Sequence, residues 1–357
     1  MSENQKGFAA FLAKKDIVFS AKRYGIDALG AMAQGLFASL LIGTILKTLG
    51  QQLGVAILVD IGTFAQAVTG PAMAVSIGYA LKCPPLVLFS LIAVGGAANQ
   101  LGGAGGPLAV FVVTIFAAEF GKLVSKGTKV DIIVTPSVTI CVGVLLSMWW
   151  APSIGAAASA VGNAIKWATE LQPFFMGILV SVIVGIALTL PISSAAICAA
   201  LGLTGLAGGA AVAGCCAQMV GFAVMSFKEN KWSGLLAQGI GTSMLQIGNI
   251  VKNPLIWIPP TLASAVTGPI ATCIFRMKMN GDAVASGMGT CGLVGQIGVY
   301  TGWINDITAG TKAGITSMDW LGLVLVCFIL PAVLTLVFAY PMRKKNLIKE
   351  NDLKLDL

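Results

Sequence analysis

The chain has 357 residues, of which 57% are apolar and only 10% charged, with 22 Lys and Arg against 14 Asp and Glu and no histidine. A soluble domain carries about 25% charged residues, so this composition excludes one. The missing imidazole excludes histidine acid–base catalysis, histidine metal ligation and a phosphohistidine on this chain, and no Walker A string is present to let it drive itself with ATP.

Long, nearly uncharged stretches recur along the whole chain, each near the roughly 20 residues that cross about 30 Å of hydrocarbon. Backbone in lipid must satisfy its own hydrogen bonds, so stretches this apolar are helices. The reading is an all-α, polytopic integral membrane protein of about ten transmembrane helices, with two internal repeats and broken or re-entrant helices. In chain order, 1–27 is a cytoplasmic amphipathic N-terminal segment, in which Phe8, Phe11, Leu12, Val18 and Phe19 oppose lysines. Its apolar run is too short for a signal peptide. The first transmembrane repeat covers 28–150, with spans near 28–47, 55–82, 84–101, 106–124 and 131–150. A surface amphipathic helix follows at 151–172, its stripe of Ile154, Ala158, Val161, Ile165 and Ala168 opposing Ser159, Asn163, Lys166 and Glu170. Connecting segments fill 173–227: one span near 173–190, then an Ala/Gly/Cys-rich stretch at 193–227 that is one long span, two short ones or a re-entrant hairpin. The second repeat covers 228–341, with spans near 234–251, 255–277, 283–303 and 318–341, and a basic cytoplasmic tail occupies 342–357. Trp149, Trp150, Trp303 and Trp320 fall at span ends, where amphipathic rings anchor at the interface.

The repeats rest on three echoes. Ala33–Lys47 and Ala237–Lys252 share nine of fifteen positions when Gln246 is an insertion. The phrase Ala-x-Ala-Val-Thr-Gly-Pro occurs at 65–71 and again at 263–269, and Gln100-Leu101-Gly102 is echoed by Gln296-Ile297-Gly298. The offsets fall smoothly through 204, 198 and 196 residues, as duplication with small deletions gives. A duplication with a helix break in each half points to a solute site.

That expectation assigns the candidate binding residues. Proline removes a donor and stops a helix, so a half-helix beginning at Pro71 or Pro269 presents free N–H groups beside Thr69, Gly70, Thr267 and Gly268. The glycine-rich 95–107 run adds Asn99 and Gln100, whose amides suit a neutral polyol, and Gln296 matches Gln100. Gln34 and Gln238 recur in both halves, with Asn249 a further intramembrane amide. For each of these the ordinary alternatives are a proline kink, tight helix packing or polar helix-to-helix contact. Asp60 and Glu119 are the acids nearest membrane depth. No catalytic residue, no metal site and no cofactor is expected: the acids are dispersed and the eight cysteines have no metal or redox spacing.

Lys14, Lys15, Lys22 and Arg23 at one end, and Arg343, Lys344, Lys345 and Lys349 at the other, place both termini in the cytoplasm. The +8 balance is juxtamembrane charge facing a lipid bilayer, not a nucleic-acid footprint. This pattern makes the repeats parallel; an odd number of spans between them makes them inverted.

With TGPAMAVSIGYALK (69–82), GGAANQLGGAGGPLAV (95–110) and AQGIGTSMLQIGN (237–249) in view, the chain resembles the membrane-embedded IIC components of the bacterial sugar phosphotransferase system, in the branch of the toxin-regulator PfoR. The resemblance implies a multi-pass protein of the bacterial cytoplasmic membrane, a homodimer, that binds a small polar solute, a sugar, between its repeats. It implies a cytoplasmic IIB-type partner that phosphorylates the sugar, so that this chain is a carrier and not itself an enzyme. Glucose-type relatives use a membrane histidine and a GITE-like glutamate; here the nearest string is Gly314-Ile315-Thr316-Ser317. The alternatives are a PfoR-like membrane sensor of exoprotein expression and a gradient-driven organic-anion carrier.

Overall fold

In the computed structural model, which describes residues 11–355, the chain is helical from end to end, and the described residues include no β-strand beyond one isolated bridge, Gly205 to Met279. Residues 1–10 of the N-terminal amphipathic segment, Phe8 among them, and the last two of the tail lie outside the described residues. Among the described residues, six helices are long and apolar enough to cross a membrane, or seven if a bent pair counts as one span. The fold is therefore all-helical and polytopic, with fewer full spans than the ten expected. The stretches expected as separate spans at 84–101 and 106–124 count as one, Pro85–Val124, that expected at 173–190 is a 17-residue helix, and those expected at 234–251 and 283–303 are divided into shorter pieces.

Two compact units divide the chain. The first runs through Leu40 and resumes at Phe64–Ala156; the second holds Leu41–Thr63 and continues from Ala157. The division does not follow the repeat boundary. In the first unit, α1 (Ala28–Leu36) packs on α4 (Thr69–Ala80), which packs on α5 (Pro85–Gly102). Helix α6 (Gly106–Val124) follows α5 after a knee at Gly103, where φ is +50°. A π-helical turn at Phe37–Leu41 leads from α1 into α2 (Ile42–Leu53), and α3 (Ala56–Ala67) precedes α4.

Helix α7 (Asp131–Thr169) runs 39 residues without interruption, through Pro136 and Pro152. The stretch expected as a separate surface helix is its continuation: Ala158, Ile165 and Ala168 are buried while Ser159, Asn163 and Lys166 are exposed. The N-terminal amphipathic segment is likewise not one helix, because Asp16 turns the chain with φ of +53°.

The second unit is built around α10 (Gly205–Met225), flanked by α8 (Pro173–Thr189), α13 (Ile258–Pro269) and α17 (Leu330–Lys344). Buried across 94% of its apolar window, α10 shows no polar face because every face is covered. Its run of Gly, Ala and Cys makes that possible. A Cβ at Gly214 would stand 1.9 Å from the Ser181 carbonyl oxygen of α8, so only glycine permits this approach. The 193–227 stretch thus resolves into short α9 (Ser194–Ala200) and long α10. Helix α11 (Phe227–Leu236) precedes a π-helical turn at Ala237–Gly241, an extended Thr242, a 3-10 turn at Ser243–Gln246 and α12 (Ile247–Lys252). After α13 come α14 (Ala283–Ser286), α15 (Val294–Thr308) and α16 (Ser317–Val324), whose first turn is held by a Thr316–Asp319 capping box. The Thr of the GITS string is therefore a helix cap.

Candidate functional site

The two Thr-Gly-Pro phrases do not fold alike. The first break falls at Val68 (φ −95°, ψ 15°), where α3 and α4 meet at 51°, and Pro71 lies in the first turn of α4. The amide of Ala72 already bonds to the Val68 carbonyl at 2.9 Å, so that turn is closed. The second phrase ends α13 and passes without a break into a π-helical turn at Ile270–Ile274; the chain unwinds only at Arg276, where φ is +46°. No half-helix begins at Pro269, which corrects that expectation. Proline removes one donor, and the wider π turn accommodates the loss without ending the helix.

Each phrase instead marks a helix crossing. Gly70 faces Gly95, and Gly268 faces Gly177, with backbone against backbone. The threonine hydroxyls are both used locally: Thr69 donates across the break to the Gln66 carbonyl at the end of α3 at 2.6 Å, and Thr267 donates within α13 to Ala263 at 3.0 Å. Asn99, half-buried, lies one turn beyond Gly95 and fills the space between Gly70 and Gly106. Gln100, its neighbour, is exposed on α5. Gln34 is exposed on α1, whereas its repeat counterpart Gln238 is wholly buried. Asp60 is exposed, and Glu119 is paired with Lys122 at 3.2 Å and with the Tyr24 hydroxyl at 3.0 Å.

Buried polar groups concentrate in the second unit. One chain of amides runs from Lys252 to Asn249, on to Gln246, then Gln238, and ends on Ser226, with contacts of 3.4, 2.8, 2.9 and 2.8 Å. The carbonyls of Leu353 and Lys354, from the C-terminal tail, accept further bonds from Gln246 and Asn249 at 3.0 and 2.8 Å. The tail is anchored there by Ile348 and Leu353, both buried with Phe222, Met225, Ile250 and Ile256. Gln238 and Asn249 are thereby committed to neighbours within the protein.

A second cluster centres on Gln218 of α10, which is fully buried. Its amide donates to the Thr261 hydroxyl at 3.2 Å and accepts from the Trp257 indole N–H at 3.0 Å. Thr189 approaches the same oxygen at 3.4 Å and shares a 2.8 Å bond with Ser243. Trp257 and Thr261 are half-buried, so a molecule arriving beside α13 meets them first, with Gln218 and Ser243 behind. Every member is neutral, and donors alternate with acceptors. None of these five residues is among the candidates above, although Gln218 is the only side-chain amide between 193 and 227 and an amide in so apolar a run is a functional signal. Trp257 and Thr261 carried no such signal.

Gln296 stands on the opposite face of α10, reaching Cys216 Sγ at 3.2 Å while its Oε1, buried, has no hydrogen-bond partner. A buried acceptor left open is costly and is met by a ligand or water where one fits. Cys198 and Cys291 are buried as small apolar filling. No group of three or more metal-binding side chains occurs among the described residues.

The described residues form a many-span helical protein whose second unit buries neutral amides and hydroxyls, while the first buries the Glu119–Lys122 pair. Residues 26–355 match the family model described as phosphotransferase system, EIIC, and the chain belongs to that family. The family is the membrane transport component of the system and works with phosphotransferase partners. No match was found among curated proteins or among solved structures.

Proposed function

We propose that the protein binds and carries a polar, uncharged solute of the sugar class, with Gln218, Trp257, Thr261 and Ser243 as primary contacts and Gln296 Oε1 as a further acceptor. The observation that carries this reading is the Gln218 cluster. A hydroxyl both donates and accepts, so a polyol can exchange with the Trp257 and Thr261 bonds without leaving a buried partner unsatisfied. The indole face also offers an apolar surface for the C–H face of a sugar ring. A carboxylate finds no cation within the cluster, which disfavours the organic-anion reading. Thr69, Gly70, Thr267 and Gly268 support the crossings that hold the helices, and a cytoplasmic IIB-type protein is the partner that would phosphorylate the sugar on the inner side. A homodimer in the bacterial cytoplasmic membrane, with both termini inside, completes the reading.

Uptake of labelled sugars and small carboxylates by proteoliposomes holding the purified chain, with and without the soluble phosphotransferase proteins, tests it. Trp257→Phe keeps the ring and removes the N–H, and should cut sugar uptake about tenfold while the melting temperature holds. Unchanged uptake in Trp257→Phe and Thr261→Ala would sink the assignment.

A PfoR-like sensor is the second reading, favoured by the tail carbonyls seated on Gln246 and Asn249. Through that contact the cytoplasmic tail is joined to the buried amides. A chain that binds sugar but moves none of it would support this reading over the first.

A further inference from the structure

The first unit holds a cavity of about 670 Å³ whose lining residues all belong to that unit. One wall is the segment carrying Leu12, Ile17 and Phe19; the other is the α6 face carrying Ile115, Phe120 and Leu123. The surface it presents is apolar, although Tyr24 and Glu119 are among the residues around it, and it is partly open. Two charged pairs lie beside it, and in them Arg23 Nε and Glu119 Oε2 are buried without a hydrogen-bond partner. Arg23 forks onto Asp16 at 3.2 and 2.7 Å and also donates to the Leu81 carbonyl, while buried Lys122 holds Glu119. Lys15 is tied to the Ser125 carbonyl, fixing the N-terminal segment to the end of α6.

Four lysines flank the lining residues along the chain and remain exposed: Lys14 and Lys22 on the first wall, Lys126 and Lys129 just beyond α6. None of them forms an ion pair among the described residues. The acids nearest in sequence are occupied or solvated: Asp131 accepts from the Lys126 amide and the Thr135 hydroxyl, and Asp27 is exposed.

We infer that this cavity is a binding site for an anionic phospholipid, one acyl chain lying in the groove and the headgroup phosphate held by Lys14, Lys22, Lys126 and Lys129. A hydrocarbon-walled cleft in a membrane protein is filled by hydrocarbon, since the alternatives are water without partners or a void. The exposed lysines that flank its lining residues in sequence select the sign of the headgroup. The Lys15–Ser125 and Arg23–Asp16 contacts keep the cleft open by holding its N-terminal wall in place.

The test is native mass spectrometry of the purified full chain after delipidation, titrated with phosphatidylglycerol or phosphatidylcholine of identical acyl chains. Phosphatidylglycerol should be retained in preference, and replacing the four lysines by glutamine should remove that preference, by about fivefold for each lysine engaged. Ile115→Trp fills the groove and should reduce retention of both lipids about tenfold, whereas Leu336→Trp on exposed α17 should not. The lysine variant leaves packing untouched, so it decides the matter even if Ile115→Trp folds poorly. Equal retention of the two lipids by the wild-type chain, or unchanged retention in Ile115→Trp, overturns the proposal. A change of subunit stoichiometry in Ile115→Trp with lipid retention unaltered would also overturn it, assigning the groove to a second copy of the chain.

Discussion

Gly70 and Gly95 lie so close that a Cβ on either would stand 2.4 Å from the carbonyl oxygen of the other. The contact fixes where α4 crosses α5, and the second copy of the phrase makes an equivalent crossing, with a Cβ at Gly268 falling 2.0 Å from the Gly177 oxygen. Backbone on both sides of each contact leaves no flexible side chain to yield.

Gly70→Ala and Gly268→Ala should therefore destabilise by at least the 1–3 kcal/mol or so of an overpacked core. Gly96→Ala is the contrast, since its nearest neighbour is a Pro71 ring carbon 3.9 Å away. Thermal unfolding in detergent should rank Gly268→Ala lowest and leave Gly96→Ala at or slightly above wild type. A neutral Gly70→Ala would contradict the crossing.

Gln246 joins Gln238, Asn249 and the Leu353 carbonyl; Asn249 and Leu353 keep the Lys354 carbonyl and Asn230 as partners, so Gln246→Leu breaks three bonds and strips buried Gln238 Oε1 of its donor. With about 1–3 kcal/mol for the group left unsatisfied, a loss of about 2 kcal/mol is expected, together with easier proteolytic removal of the tail. Gln100→Leu, at an exposed position, should stay within about 0.5 kcal/mol of wild type. Comparing the two by melting and limited proteolysis separates an amide that builds structure from one that does not.

Removing the residues after Lys345 takes Ile348 and Leu353 out of their cluster. Full burial of such side chains stabilises by roughly 1.5–3 kcal/mol each, an upper estimate. Truncation should lower the melting temperature and expose Phe222 and Ile256, read as increased dye binding. A truncated chain as stable as the full one would mean that the tail contact is dispensable.

The Asp16–Arg23 fork gives a pH dependence. Hydrogen bonding to Arg23 holds the Asp16 carboxyl below its ordinary value of 3.8. A depressed folded-state pKa contributes stability that is fully present above the ordinary value and is lost as pH falls through the lowered one. The melting difference between wild type and Asp16→Asn should be constant above about pH 5 and should vanish on acidification below 3.8. A difference that persists at the acid end would show that the fork is not its source.

Cys83, between α4 and α5, has its thiol pushed up to about 12 by burial. Thiolate is the reactive form, so Cys83 should resist alkylation at pH 8 in the native protein and react on unfolding. Mass-mapped labelling by iodoacetamide reads this directly; rapid native labelling at Cys83 would mean that the α4–α5 turn opens.

Charge scarcity and hydropathy made the helical, many-span class legible without coordinates, because lipid allows few other ways to satisfy backbone hydrogen bonds. The Ile154–Ala168 stripe was legible for the same kind of reason, since a 3.6-residue period carries its own information about which face is covered. Tertiary structure alone decided the fate of the amides. Gln34 and Gln238 occupy matching Ala-Gln-Gly phrases, yet one is exposed and the other buried against Ser226 and Gln246. The partner that completes Gln246 is Leu353, 107 residues away in sequence, and Gln218 finds Trp257 and Thr261 only through the packing of α13 on α10. Local pattern determines which residues can enter a helix, but a polar side chain takes its role from whatever distant backbone the packing brings within about 3 Å of it.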